Sequence, residues 1–272
     1  MNKHIMLAAV AAVTLGLIPV IHFNWPGQET APPADLPREP AKVLPPVVES
    51  DIQHPMPEVP EASSESGEPP PPSLPELDQS DPVMVEAISS LLAKQSLLKL
   101  FSLDNIIQRI VVSVDNMTGA TIPHRFNPVK PVAGKFLTHM GGKDRWLIDP
   151  ENYRRYDLYV KMLEAVDTED VLAIYTRFYP LFQQAYVELG YPNKYFNDRL
   201  VTVLEHLLET PEVAVPLVLV RPKVTYKYED TRFERLSAGQ KLLLRMGPEN
   251  GAKMRVLIKR WHKKILTLPG KG

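Results

Sequence analysis

The chain has 272 residues, with 31 Lys or Arg against 32 Asp or Glu, a formal net charge of −1 and no cysteine. The lack of cysteine excludes structural disulfides, thiol nucleophiles, lipid attachment through a lipobox and thiolate metal sites. What remains after the amino-terminal 81 residues is long enough for one domain with a real core, whose stability must come from packing.

The near-neutral total conceals three unlike zones. From Ile5 to Ile21 the chain is apolar for seventeen residues, close to the roughly 17 to 25 that span the hydrocarbon of a bilayer. Lys3 precedes it, and no Lys or Arg follows until Arg38. By the positive-inside rule residues 1–23 read as a single-pass signal anchor, amino end in the cytoplasm and the rest outside, with Phe23 and Trp25 suited to the far interface. The competing reading is a cleaved signal peptide, against which no small-x-small triplet follows the apolar core. Residues 24–81 form the second zone. From Asn24 to Pro82 there are 16 of the 28 prolines, 12 acidic residues and two basic ones, for a charge of −10. Such a composition buries too little apolar surface to offset ordering entropy, and it reads as a disordered spacer. The other reading makes its prolines a docking ligand for an aromatic-lined groove.

The third zone, 82–272, is basic: residues 83–272 carry +8, and Arg232 to Gly272 alone carry +9. A basic face suits anionic headgroups, acidic envelope polymers, nucleic acid or the chain's own linker. Placement outside the cytoplasm sets nucleic acid aside.

Within this zone the fold class reads as mostly α, a multi-helix bundle-like domain with a small extended or hairpin segment. Asp81 and Pro82 predict an N-cap and first-turn proline for a helix with Val85, Ile88, Leu91, Leu92 and Leu98 inward. A second helix is expected over Leu103–Met117, although the β-branched run from Ile110 to Val114 also suits a strand. Residues 119–148 hold Gly and Pro and read as irregular loop, with short strands as a variant and Gly141-Gly142 as a turn. Asp149-Pro150 opens a helix with Tyr153, Tyr156, Val160 and Leu163 on one face. Asp167 caps the next, which ends at Gly190 and is expected to kink or break at Pro180. A further helix carries Phe196, Leu200, Val203, Leu204, Leu207 and Leu208 and ends near Thr210. Val215–Val220 and Val224–Tyr228 read as a hairpin or arm. Ser237 and Gln240 have capping-box spacing, Gly247-Pro248 closes that helix, and the last buries Met254, Leu257, Ile258, Trp261 and Ile265. Arg255, Lys259 and Lys263 recur every four residues on another face and read as solvated.

Four motifs then stand out: Asp115-Asn116; Asp149-Pro150-Glu151-Asn152-Tyr153-Arg154-Arg155-Tyr156-Asp157; Ala185-Tyr186 with Leu189-Gly190-Tyr191-Pro192; and Gln240-Lys241-Leu242-Leu243-Leu244-Arg245-Met246-Gly247-Pro248-Glu249-Asn250. Together they resemble the bacterial domain of unknown function family numbered 3014. The resemblance covers nearly everything after Pro82, and the last motif is its most specific part. It implies a Gram-negative envelope protein, here a periplasmic domain on an inner-membrane anchor, and no activity, cofactor or substrate.

Read physically, the helix opened by Asp149, with Asn152, Tyr153, Arg155, Tyr156 and Asp157, has more polar groups of fixed geometry than a plain core helix needs. One account is a structural network tying helices together. The other is a ligand pocket in which Arg155 or Arg245 grips an anion, walled by Tyr153, Tyr156 and Tyr186, with Gln240, Lys241 and Asn250 contributed by the last motif. No HExxH pair, G-x-S-x-G elbow, S-x-x-K or P-loop occurs, and neither metal nor cofactor is expected. Asp149 with Asp157, or Glu205 with Glu209, would be the acid and base if the domain cleaved a glycan. The adopted reading is a binding or scaffold module whose partner is another envelope protein or an anionic envelope polymer. A tethered enzyme on a polymer such as peptidoglycan and an anionic-ligand recognition domain stand as alternatives.

Overall fold

The computed structural model describes residues 52–57 and 73–268. The anchor over residues 5–21 lies outside them, and among the described residues no helix is long and apolar enough to cross a membrane. The described chain is mostly helical, as expected, with a small antiparallel sheet.

Helix α1 spans Asp81–Leu91, with Pro82 in its first turn. It stops short of Leu98, because the chain leaves helical geometry at Leu92 and resumes as a 3-10 turn over Gln95–Leu100. Asp81 does not cap its own helix. Its carboxylate accepts from the amides of Asn105 (2.7 Å) and Ile106 (2.9 Å) at the start of α2, Ile106–Asn116. A capping carboxylate is thus supplied across space, to a helix whose preceding residue, Asn105, is left-handed (φ 49°). Helix, not strand, wins over Ile110–Val114 because all five residues there are buried on several sides by neighbouring helices.

Residues 119–148 contain more order than their glycines and prolines suggest. Strands β1 (Thr138–Gly142) and β2 (Arg145–Ile148) form a hairpin. β2 pairs with β3 (Val218–Val220), which pairs with β4 (Lys227–Tyr228). The expected extended arm is therefore the second half of a four-stranded antiparallel sheet in the order β1-β2-β3-β4. The short strands allowed as a variant within 119–148 are present, and the pattern left them unplaced because β1, Thr-His-Met-Gly-Gly, is mostly exposed and has no apolar alternation.

The Asp149 segment gives two short helices, α3 (Glu151–Arg154) and α4 (Asp157–Glu164), separated at Arg155 and Tyr156. Helix α5, Thr168–Glu188, is capped by Asp167, whose carboxylate accepts from Glu169 N at 2.7 Å. It runs through Pro180 without the expected break. A mid-helix proline costs about 3 kcal/mol. Pro180 faces outward, while Phe178, Tyr179, Leu181 and Phe182 beside it are buried, each contributing roughly 1.5–3 kcal/mol. Helix α6 is Phe196–Leu208, α7 Thr231–Glu234, α8 Ala238–Arg245 and α9 Gly247–Leu266. The predicted capping box on α8 is complete, with both Ser237 and Gln240 reciprocating.

One large core joins α1, α2, α4, α5, α6, α8 and α9, and a smaller one holds Ile148, Leu217, Leu219, Tyr228 and Leu244 beneath the sheet. Helix α8 belongs to both, since Leu242 and Leu243 enter the first and Leu244 the second. Arg255, read as part of a solvated stripe, instead donates to the carbonyls of Leu208 and Thr210 (2.7 Å each), closing the end of α6. Two parts of the stretch read as spacer also pack on the domain: residues 52–57, with Met56 only 3% exposed, and residues 73–80, with Leu77 and Ser80 buried.

The α8–α9 junction is the tightest point. Gly247 has φ 78°, and a Cβ there would stand only 2.4 Å from Cγ of the Tyr153 ring. Gly247→Ala is expected to destabilise the fold by at least about 2 kcal/mol through combined backbone strain and overpacking, read as a lower urea midpoint at unchanged slope.

Candidate functional site

Helix α8 is set by its neighbours before it presents any side chain. The amides of Ala238 and Gly239 donate to the carbonyls of Gly119 (2.8 Å) and Met117 (2.9 Å) beyond α2. Gln240 Nε2 donates to His206 O (3.2 Å), and His206 Nε2 meets Ser237 Oγ at 2.8 Å. One side of α8, the segment 120–124 and the β3–β4 end of the sheet then line a half-open cavity of about 520 Å³, within the usual size of small-molecule sites.

The walls differ in character. Ile122, Phe136, Ile148, Leu219 and Leu242 make the apolar part, joined by the rings of Tyr226 and Tyr228. Tyr226 is fixed edge-on to Trp146 (5.6 Å, 67°), and its hydroxyl is 3.3 Å from Thr138 Oγ1. The charged part consists of Lys227, Lys241 and Arg245 with a single lining carboxylate, Glu234. Glu234 Oε1 stands 4.0 Å from Lys241 Nζ, and its Oε2 accepts from Tyr228 N (3.0 Å). The Lys241 side chain is 15% exposed. Burial holds its ammonium below the ordinary lysine range; Glu234 opposes this, and the charges of Arg245 and Lys227 add to the lowering.

Behind this wall lie the buried hydroxyls of Tyr153 and Tyr156, without a protein partner in hydrogen-bonding geometry, and on the wall itself the Tyr228 hydroxyl is met by the Arg245 guanidinium. Desolvation raises all three above the ordinary tyrosine range. The Arg245 guanidinium is near enough to Tyr156 and Tyr228 to oppose the rise electrostatically. Buried hydroxyls are nearly always satisfied by protein or by ordered water.

The residues singled out from sequence divide. Lys241 and Arg245 line the cavity, and Tyr153 and Tyr156 stand behind it. The others are structural ties. Arg155 donates to the carbonyls of Ala133 (3.0 Å), Gly134 (3.0 Å) and Val132 (3.4 Å). Asn152 exchanges bonds with the backbone of Leu137, accepting at 3.0 Å and donating at 2.7 Å. Both thereby staple the loop before β1. Asp149 accepts from Glu151 N (2.8 Å) and lies 3.5 Å from His139. Asp157 accepts from Asn250 Nδ2 (2.9 Å), which also donates to Tyr153 O (3.0 Å). Gln240 is spent on its capping box and His206. Tyr186 is elsewhere: it stacks on Tyr191 at 4.7 Å beside the Asp115–Arg199 ion pair (2.9 Å). Desolvation, with help from the Asp115 carboxylate, pushes its hydroxyl up to about 12. Neither Asp149 nor Asp157 lines the cavity, and Glu205 is 3.1 Å from His262. Sequence reading missed Lys227, Glu234, Tyr226, Tyr228 and segment 120–124, which only the sheet and α8 bring together. Among the described residues no cluster of three or more His, Asp or Glu could hold a metal.

The matched family model runs from residue 106 to residue 261, from the start of α2 almost to the end of α9, and spans every wall of the cavity. The chain belongs to the family described as protein of unknown function DUF3014. No curated protein and no solved structure matches it. The DUF3014 span contains the whole Gln240–Asn250 motif, whose conformation positions Lys241 and Arg245.

An unpaired buried hydroxyl costs stability, so its removal relieves the fold. Tyr156→Phe is expected to leave stability unchanged or raise it by up to about 1 kcal/mol. Tyr175→Phe, which deletes a 2.9 Å bond to Asn197 Oδ1, should lower it by about 1 kcal/mol. Paired urea melts check the contrast. The pH dependence follows the same physics. Folded-state pKa values raised above the unfolded value of 10 mean that the tyrosines' contribution is full below pH 10 and is lost as pH rises beyond it. Stability should fall above pH 10, and less steeply in Tyr156→Phe.

Proposed function

We propose that this domain is an anion-recognition module of the bacterial envelope, a binding component and not an enzyme, held at the inner membrane by residues 5–21 with the domain in the periplasm. The observation that supports the reading is the cavity. Lys241 and Arg245 stand on one helix face beside Lys227, opposite apolar and tyrosine walls. A ligand matching it carries negative charge on a flat or apolar frame, the charge meeting Lys241 and Arg245 and the frame lying against Phe136 and Tyr226. A charged group would be held by Lys241 and Arg245 more strongly in this partly water-excluded site than at an open surface. A pendant group of an acidic envelope polymer and a free small anion both have this chemistry.

Phenyl phosphate is a suitable first probe. Added to the full chain in detergent at about a hundred times its Kd, it should stabilise the fold by about 2.7 kcal/mol, a rise in the thermal midpoint of roughly 5–10 °C for a domain of this size. Lys241→Met and Arg245→Met should lose most of that rise. An equal shift with phenol, or none with phenyl phosphate, overturns the reading. The placement is tested separately: reporter fusions beyond residue 30 should be active outside the cytoplasm, and activity confined to junctions before residue 20 would sink it.

A further inference from the structure

The second notable site lies away from the cavity, where α5 turns into α6 and receives residues 52–57. The Asp198 carboxylate accepts from two successive amides, His54 N at 2.7 Å and Gln53 N at 3.2 Å. The Tyr195 hydroxyl accepts from Met56 N at 2.8 Å, and Asn197 Nδ2 donates to His54 O at 2.9 Å. Met56 is the one residue of the six to be fully buried, and it joins the main core. These are the contacts of peptide recognition: main-chain groups bound by side chains, with one apolar anchor in a pocket.

The receiving groups are held in place by the domain. Asn197, 1% exposed, has its Oδ1 bonded by Tyr175 OH (2.9 Å), which leaves Nδ2 aimed at the peptide carbonyl. Tyr179 OH accepts from Asn197 N (3.3 Å) and donates to Gln183 Oε1 (3.0 Å), and Gln183 also holds Phe196 N and Lys194 O, both at 2.8 Å. The ring of Tyr179 packs 5.2 Å from that of Tyr195. Without a peptide, the amide of Asn197 and the carboxylate of Asp198 would both lose these partners. All the receiving residues fall inside the matched family span of 106–261, and the docked segment falls outside it.

We infer that the α5–α6 junction is a peptide-binding groove whose resident ligand is residues 52–57 of the same chain, and that this clamp sets the reach of the domain. The 15 residues from 58 to 72 keep the segment at an effective concentration on the order of millimolar, so capture within one chain prevails over capture between chains. Four hydrogen bonds and one buried side chain form a contact that opens without unfolding the helices. The consequence for reach rests on the anchor reading of residues 5–21; the docking itself does not. With the clamp closed, 28 residues separate position 23 from position 52, at most about 100 Å of chain at roughly 3.5 Å each. With it open, 49 residues lead to position 73, at most about 170 Å.

Amide hydrogen exchange on the full chain in detergent tests the clamp. The amides of Gln53, His54 and Met56 should exchange at least 10-fold more slowly than their sequence alone sets. Asp198→Ala on the groove and Met56→Asp on the ligand should each abolish that protection while the helices keep theirs. A synthetic peptide of residues 50–58 at millimolar concentration should also accelerate exchange of the tethered copy. Unprotected amides in the parent chain, or protection unchanged in both variants, overturns the inference. Protection that grows with protein concentration overturns the single-chain clamp and assigns the segment to a second copy. Failure of the fusion experiment would remove only the argument about reach.

Discussion

The close approach of the α8–α9 junction to Tyr153 is the constraint on which both cores depend. Gly247 is the residue that permits it, by taking a positive φ and by offering no Cβ to the ring. The contact places α9 so that Asn250 reaches Tyr153 O and Asp157, and it leaves α8 spanning from the helical core to the sheet. Almost every position of the Gln240–Asn250 motif then has its own physical reason. Gln240 completes a cap, Leu242 and Leu243 fill one core and Leu244 the other, Met246 is buried, Pro248 sits in the first turn of α9, and Asn250 ties the turn to α4. Lys241 and Arg245, which line the cavity, and the exposed Glu249, which pairs with Lys253 at 3.3 Å, are the positions whose side chains the packing alone does not require.

That contrast gives the cavity its meaning. The Lys241 ammonium is held with its side chain at 15% exposure, facing one carboxylate, Glu234, and two other cations, Lys227 and Arg245. Such burial of charge costs free energy, and on the reading proposed above a bound anion would offset it. The groove at the α5–α6 junction shows the satisfied counterpart. There the carboxylate and amide that could have been left without partners are met by the chain's own backbone.

Legibility from sequence followed the range of the interactions. Helices with local signals were readable: the Asp167 cap, the Ser237–Gln240 box, the stop at Gly190 and the buried stripe from Met254 to Ile265. Pro180 was misleading because its local cost is outweighed by aromatic burial on either side. Asp81 was misleading because a carboxylate near a helix start served a different helix. The sheet was half visible, since β3 and β4 carry apolar residues while β1 carries glycine and exposed polar groups. In the candidate site, Lys241 and Arg245 were visible as neighbours four apart on one face. Arg155 and Asn152 looked equally functional until their partners proved to be the backbone carbonyls and amide of a loop.

By itself the sequence determined the three zones of charge and composition, the mostly helical class, the family, and the helix ends set by caps, because each depends on residues within a few positions of one another. Tertiary structure alone decided that the sheet has four strands, that Tyr228 and Lys227 face Lys241 and Arg245 across a cavity, that Arg155 serves a loop, and that residues 52–57 rest on Asp198. Those outcomes join residues tens to more than a hundred positions apart, and only the packing of α8 and α9 against the rest brings such residues within bonding distance.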